Sequence, residues 1–178
     1  MLGWPRALIE KHLPVVSSII YRHIEPVETA AVAALAREVF DQFVAPLYQP
    51  EGVSEFHRYA SADAFTQRHK SDHVTLVAEH SGELVGMLHL RKPRHVSMLF
   101  VRSSFQHKGI GRKLLAAAAA LVDDPDCEFT LNSSPNAVSA YEHLGFHAIG
   151  VEQCVHGIRF IPMGKQRQSG QRGIRHDA

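Results

Sequence analysis

Residues 104–122 read SFQHKGIGRKLLAAAAALV. Gly109 and Gly111 stand one residue apart at the start of an alanine- and leucine-rich run, with the polar and basic Gln106, His107 and Lys108 before them. Ile110, Leu114, Leu115, Ala118 and Val122 share one face of a helix. The run that precedes them, 95–101, alternates. Val96, Met98 and Phe100 point one way and Ser97, Leu99 and Val101 the other, and both sets are largely apolar, which predicts a central strand covered on both faces. A strand, a glycine-bearing loop and a helix in that order leave the helix's first backbone N–H groups without internal partners. The helix dipole adds about half a positive charge at the same end, and His107, Lys108, Arg112 and Lys113 add to it. The stretch therefore predicts an anion site, best suited to phosphate. The same glycines would equally serve a plain strand-to-helix turn. The P-loop spacing is absent, because Ile110, Gly111, Arg112 and Lys113 follow Gly109. The dinucleotide fingerprint lacks its third glycine, because residue 114 is leucine.

Working outward, residues 19–24 are β-branched and predict a strand. From Val32, the residues Leu35, Ala36, Val39, Phe40 and Phe43 recur on one helical face, and Pro46 and Pro50 are expected to end that helix. Residues 53–70 predict one or two short helices with Ser54 and Ser61 as N-caps. Strands over 74–80 and 84–90, joined at Ser81-Gly82, predict a β-hairpin. Beyond the quoted stretch, 123–126 form a turn around Pro125 and 128–131 a short strand. Ser134-Pro135 then opens a helix with Ala137, Val138, Tyr141 and Leu144 inward and Gly145 at its end. Two last strands, 149–155 and 158–163, bend at Gly157. The order β, helices, β-hairpin, β, α, β, α, β, β is an α/β arrangement: one mixed sheet with helices on its faces.

With 178 residues and 45% apolar content, the chain suits one domain with an ordinary core. The reading divides it into an extension over 1–18, a domain over 19–164 and a basic tail over 165–178. A net charge of +1 argues against a wholesale nucleic-acid binder. Two cysteines are too few for a disulfide scaffold, so a reduced, cytoplasmic setting is expected. The apolar stretch 13–21 is too short to span a bilayer, so no membrane association is expected. The thirteen histidines are scattered. His143 and His147 are four apart, but Gly145 between them breaks any helix that would align them, so no metal site is expected.

Two segments together carry a resemblance. Gln106-His107-Lys108-Gly109-Ile110-Gly111 is similar to the Q/R-x-x-G-x-G/A pyrophosphate loop of the GCN5-related N-acetyltransferases. SSPNAVSAYEHLGF, residues 133–146, resembles that family's second conserved segment, a helix bearing a tyrosine followed by an L-G-F turn. They lie in the family's order, about 20 residues apart. The resemblance covers roughly residues 19–163 and implies a mixed, mostly antiparallel central sheet of about seven strands with helices on both faces and splayed central strands. It implies acetyl-CoA as cosubstrate. The pantetheine arm would pair with backbone at Leu99, Phe100 and Val101, and Asn132 would be within its reach. The pyrophosphate would sit on the amides from His107 to Arg112, with Gln106 at the head of the loop. Ser134 stands where the family often has asparagine. Tyr141 matches the tyrosine that donates to the departing thiolate.

The implied reaction is direct attack of a primary amine on the thioester in a ternary complex. At neutral pH roughly one alkylamine in a thousand is uncharged, so a base or a desolvating pocket must supply the free amine. No carboxylate lies in 96–101, which leaves His95 as the base candidate, with His89, Glu79 and Glu128 behind it. A phenol near 10 against a thiol near 8.5 makes full proton transfer from Tyr141 uphill by about 2 kcal/mol, so hydrogen-bond donation suffices as its role. Phe40, Phe43, Tyr48, Phe56 and Tyr59 suggest an aromatic acceptor wall, and Arg58, Arg68, Arg91 and Arg94 would favour an acidic acceptor. The acceptor is a small-molecule amine or a peptide amine, and the protein a monomer or homodimer. Two other classes fit the same residues: a non-catalytic acyl-CoA-binding module on this fold, and a nucleotide-binding domain unrelated to acetyl transfer.

Overall fold

The computed structural model describes residues 18–122 and 128–165. The expected extension up to residue 17, the turn at 123–126 and the tail from residue 166 lie outside the described residues. Strand β1 (Ile20–His23) is followed by helices α1 (Thr29–Phe43), α2 (Pro50–Tyr59) and α3 (Ala62–Arg68). Then come β2 (His73–His80), β3 (Glu83–Arg91), β4 (His95–Val101), α4 (Ile110–Ala119), β5 (Phe129–Ser133) and α5 (Val138–His143). Three strands close the described chain: β6 (His147–Ala148), β7 (Gln153–Val155) and β8 (Ile158–Lys165).

Turn chemistry sets several of these boundaries. Ser81 and Gly82 take φ of 52° and 83°, the left-handed pair that a two-residue hairpin between β2 and β3 requires. Ser61 caps α3 by accepting the Ala64 N–H at 3.3 Å. Pro50 opens α2 instead of ending α1: with Gln49 extended as N-cap, the proline sits at the first helical position, where no N–H is needed. Ser54, expected as a cap, is inside α2. Phe43 closes α1 but is exposed, unlike the rest of its expected face.

The sheet has eight strands in the order β1-β2-β3-β4-β5-β8-β6, with β7 pairing the other end of β8. Every pairing is antiparallel except β4 with β5. The strand expected over 149–155 is two short ones. Pro162 of β8 has no N–H to donate, so after Ile149 N–H reaches the Pro162 carbonyl at 2.9 Å the ladder stops. It resumes at Gln153 opposite Phe160.

Each sheet face carries its own core. Val77, Met87 and Met98 pack with Val32, Leu35 and Phe65 beneath α1 and α3. Leu88, Leu90, Val96 and Leu131 pack with Ile110 and Leu114 of α4 on the opposite face. Strict alternation would place Val96 beside Met98, yet they lie in different cores. The register pairs Met98 with His89 and Val96 with Leu90, leaving Ser97 as an extra residue. One inserted residue reverses the facing of everything beyond it, so Leu99 and Val101 share Val96's core while Phe100 stays with Met98.

Candidate active site

The central feature is a seam that opens. β4 and β5 pair only at His95 with Thr130 and Val96 with Leu131, and beyond these no pairing joins them. On its other side β4 stays paired with β3 to Val101. Arg102 N–H donates to Val85 O at 2.9 Å. Because hydrogen-bonded and non-bonded pairs alternate along an antiparallel ladder, Phe100 and Met98 turn their backbone groups toward β3. Leu99 and Val101 turn theirs into the gap. Gln106 fits this arrangement, its Nε2 donating to Val101 O at 3.0 Å from the open side. The sheet therefore contains an interior edge whose backbone groups no neighbouring strand pairs, and which a bound chain can extend.

This edge runs into the glycine loop. His107 takes φ 59° and Gly109 φ 78°, and α4 starts at the next residue. A β-carbon at Gly109 would meet nothing within 4 Å, and one at Gly111 only Leu99 Cδ2 at 3.8 Å. The space before the helix terminus is open, and its free N–H groups face that space. Arg112 Nη2 donates to His143 O at 3.2 Å, tying the loop to the end of α5. Lys108 turns its ammonium onto the Phe105 ring at 4.8 Å and does not line the cavity. The other residues of 106–112 do, Ile110 from within the core.

The cavity in front of the edge measures about 1220 Å³. Its middle wall carries Asn132, whose side chain is exposed, and Tyr141. The Tyr141 ring meets Phe146 edge-to-face at 5.9 Å, and burial pushes its phenol up to about 12. The group stays protonated at neutral pH, and its hydroxyl makes no hydrogen bond among the described residues, so it is available as a donor. The facing wall is aromatic. Phe40 and Phe56 stack at 3.7 Å, Phe56 meets Phe100 at 5.8 Å, and the Tyr48 hydroxyl donates to the Arg159 carbonyl of β8. Phe43 and Tyr59 also line it.

The far end is polar. His73, Arg91 and His95 stand opposite one another across β2, β3 and β4 and line the cavity with Arg68 of α3. His95 Nδ1 lies 3.0 Å from Thr130 Oγ1, which leaves Nε2 unengaged among the described residues. Burial first, then the Arg91 charge, lowers its pKa below the usual histidine value, so the ring is neutral at pH 7. The other base candidates drop out. His89 is fully buried. Arginine only donates, so His89 Nε2 accepts the Arg68 Nε–H at 3.0 Å, and its Nδ1–H donates to Thr75 Oγ1 at 2.8 Å. Burial, with Arg68 second, presses its pKa down to about 2. Glu79 is held by Arg22 at 2.7 Å, and neither it nor Glu128 lines the cavity. Glu55 is the cavity's one carboxylate among the described residues, and Arg58 holds it at 2.6 Å. Arg58 is largely exposed. No group of three metal-binding side chains occurs among the described residues, and no helix there is long and apolar enough to cross a membrane.

Sequence reasoning missed three features: the facing reversal at Ser97, the place of His73 in the polar row, and the focusing of Arg68 on the cavity. Each depends on register or on contacts between distant elements. The only local signal was the basic count over 58–94.

The family model described as an acetyltransferase (GNAT) domain matches residues 44–167. Among solved structures, a GCN5-related N-acetyltransferase from Rhodopseudomonas palustris superposes with a TM-score of 0.69 at 25% identity, covering 85% of this chain and 98% of its own. A PaiA N-acetyltransferase from Thermoplasma acidophilum, solved in complex with coenzyme A, gives 0.67 at 22%, covering 84% and 99%. An aminoglycoside 6'-acetyltransferase type Ii gives 0.58 at 19%, covering 83% and 96%. Among curated proteins, no sequence matches the chain.

Proposed function

Because this chain belongs to the GNAT family of acetyltransferases, enzymes that bind acyl-CoA and act on amine acceptors, we propose that it moves an acetyl group from acetyl-CoA to a primary amine by direct attack in a ternary complex. The observation that carries the proposal is the interior edge of β4. Backbone at Leu99 and Val101 that β5 does not pair leads straight to the open α4 terminus. Such an edge suits a pantetheine amide chain, and such a terminus suits its pyrophosphate.

In this reading Gln106, His107 and the amides from Gly109 to Arg112 hold the diphosphate. Leu99, Phe100 and Val101 line the pantetheine path, with Asn132 across from them. His95 Nε2 takes a proton from the bound ammonium while its Nδ1–H rests on Thr130. The freed amine attacks the thioester carbonyl, forming the C–N bond; the C–S bond breaks, and the second proton of the nitrogen passes to the departing thiolate, leaving the amide and the CoA thiol. Tyr141 donates a hydrogen bond to the departing sulfur. Its raised pKa keeps the proton on oxygen, so it stabilises the thiolate without surrendering the proton.

A melting titration with acetyl-CoA, CoA, ATP and NAD tests the cosubstrate. At 100 times the dissociation constant, linkage gives about 2.7 kcal/mol, a rise of roughly 5–10 °C for a chain of this size. A rise with acetyl-CoA and CoA alone supports the proposal, and thiol release on adding amines completes it. A rise with ATP or NAD instead refutes it.

A further inference from the structure

Four other arginines, two of them exposed, meet carboxylates. Arg22 contacts Glu28 and Glu79, Arg58 contacts Glu55, Arg102 contacts Glu38 and Glu83, and Arg159 contacts Glu152. Arg68 does not, among the described residues. It is half-buried on the cavity wall, and all its contacts are with neutral groups. Nη2 donates to the Tyr59 carbonyl at 2.9 Å and Nε to His89 Nε2 at 3.0 Å. The guanidinium lies 4.2 Å over the Tyr59 ring and 4.9 Å from that of Phe65. These contacts fix its plane and leave its charge uncancelled, with Nη1 making no hydrogen bond among the described residues.

The support behind it is built in depth. His89 can accept from Arg68 only while neutral. Thr75, which takes the His89 Nδ1–H, is itself 2.7 Å from His69 Nε2, and the His73 ring stacks on His89 at 5.1 Å. Desolvation opposes the charge on Arg68, so the site gains when an anion joins it. Arg91, also without an ion pair among the described residues, lines the same end. Glu55, the cavity's one carboxylate among the described residues, is already occupied by Arg58.

We infer that Arg68 is the anchor for a carboxylate on the acceptor, so that the preferred substrate is an amine that carries one, an amino acid or an acidic peptide end, and not a polycation. This rests on the acetyl-transfer reading above. The geometry sets His95 on the strand beside Arg91, so an acceptor held by its carboxylate presents its amine to the ring that accepts the proton.

The test uses amino acids, their carboxamides and the parent decarboxylated amines, with rates corrected to the neutral amine. Wild type should favour the carboxylate over the amide by about tenfold or more in kcat/KM, chiefly through KM. N-acetyl amino acids should raise the melting temperature of the CoA complex, and their amides should not. Arg68→Gln should bring the ratio close to one, and Arg68→Lys should restore part of it. A CoA-induced melting shift in both variants reports that they are folded. If CoA shifts melting yet neither rates nor binding favour a carboxylate, or Arg68→Gln leaves the preference intact, the inference is overturned while acetyl transfer stands. If neither CoA nor acetyl-CoA shifts melting, the acetyl-transfer reading fails, and the inference falls with it.

Discussion

The two ends of the cavity are built by opposite means. At the α4 end the available groups are backbone: the edge at Leu99 and Val101 that β5 leaves open and the first amides of a helix. At the Arg68 end they are side chains, drawn from α3, β2, β3 and β4. Backbone groups keep their positions whatever the side chains, provided the chain can take the required φ and nothing fills the space in front. Side-chain groups change with every substitution. The first end therefore suits an invariant partner, and the second can be tuned to a particular one.

The sharpest way to break this comparison is at Gly111. A β-carbon there meets only Leu99 Cδ2 at ordinary contact distance, so Gly111→Glu should fold with little change in melting temperature. Its carboxylate would occupy the anion's place, and the melting shift with CoA should vanish. Gly109→Ala, by contrast, strains a φ of 78° and should lower stability by about 1 kcal/mol while retaining CoA binding. A Gly111→Glu variant that still binds CoA would move the cofactor end elsewhere.

The same division explains what was legible in the sequence. The glycine loop and its helix are contiguous over 104–122, so period and spacing reveal them, as the Ser81-Gly82 turn reveals its hairpin. The polar end is not contiguous. Arg68 and His89 are 21 residues apart in sequence, and nothing local says that one holds the other. The bulge at Ser97 leaves no compositional trace, yet it decides that Val96 and Met98 serve different cores. Pro50 misled because a proline after a helix and a proline opening the next helix look alike until the extended Gln49 is seen.

At the side-chain end, His95→Gln should lower kcat/KM by about a hundredfold, the usual span of a general base. The pH profile sharpens the assignment. The neutral ring is the active form, so activity falls as pH drops through the His95 pKa. That pKa lies below the ordinary value, so wild-type kcat/KM should hold to lower pH than a free histidine would allow. The variant should lack that acidic limb. A limb unchanged in His95→Gln would assign the proton to another group.

Tyr141 lies between the two ends, and its effect should be smaller. Tyr141→Phe removes one hydrogen bond to a developing thiolate while keeping the ring against Phe146, so kcat should fall by about tenfold with CoA affinity retained. An unchanged kcat would leave the tyrosine a packing role only.

A substitution outside both ends sets the background against which these are read. Arg22 lies on β1 and joins α1's entry to β2, its guanidinium bonding Glu28 at 2.7 Å through two nitrogens and Glu79 at 2.7 Å. The arginine's hydrogen bonds hold the Glu28 pKa at about 2 against an ordinary 4.5. A depressed carboxylate pKa contributes stability that is fully present above the unfolded value and lost as pH falls toward the folded one. Arg22→Gln should thus cost about 1 kcal/mol at pH 6, a fall of roughly 2–4 °C in melting temperature. The gap to wild type should narrow below pH 4.5 and close near pH 2. Both the CoA shift and the carboxylate preference should survive, because the network touches neither end of the cavity. A gap that persisted to pH 2 would mean that Arg22 stabilises through packing rather than through Glu28, and a loss of either binding function would show that the two ends are coupled through the β1–α1 corner.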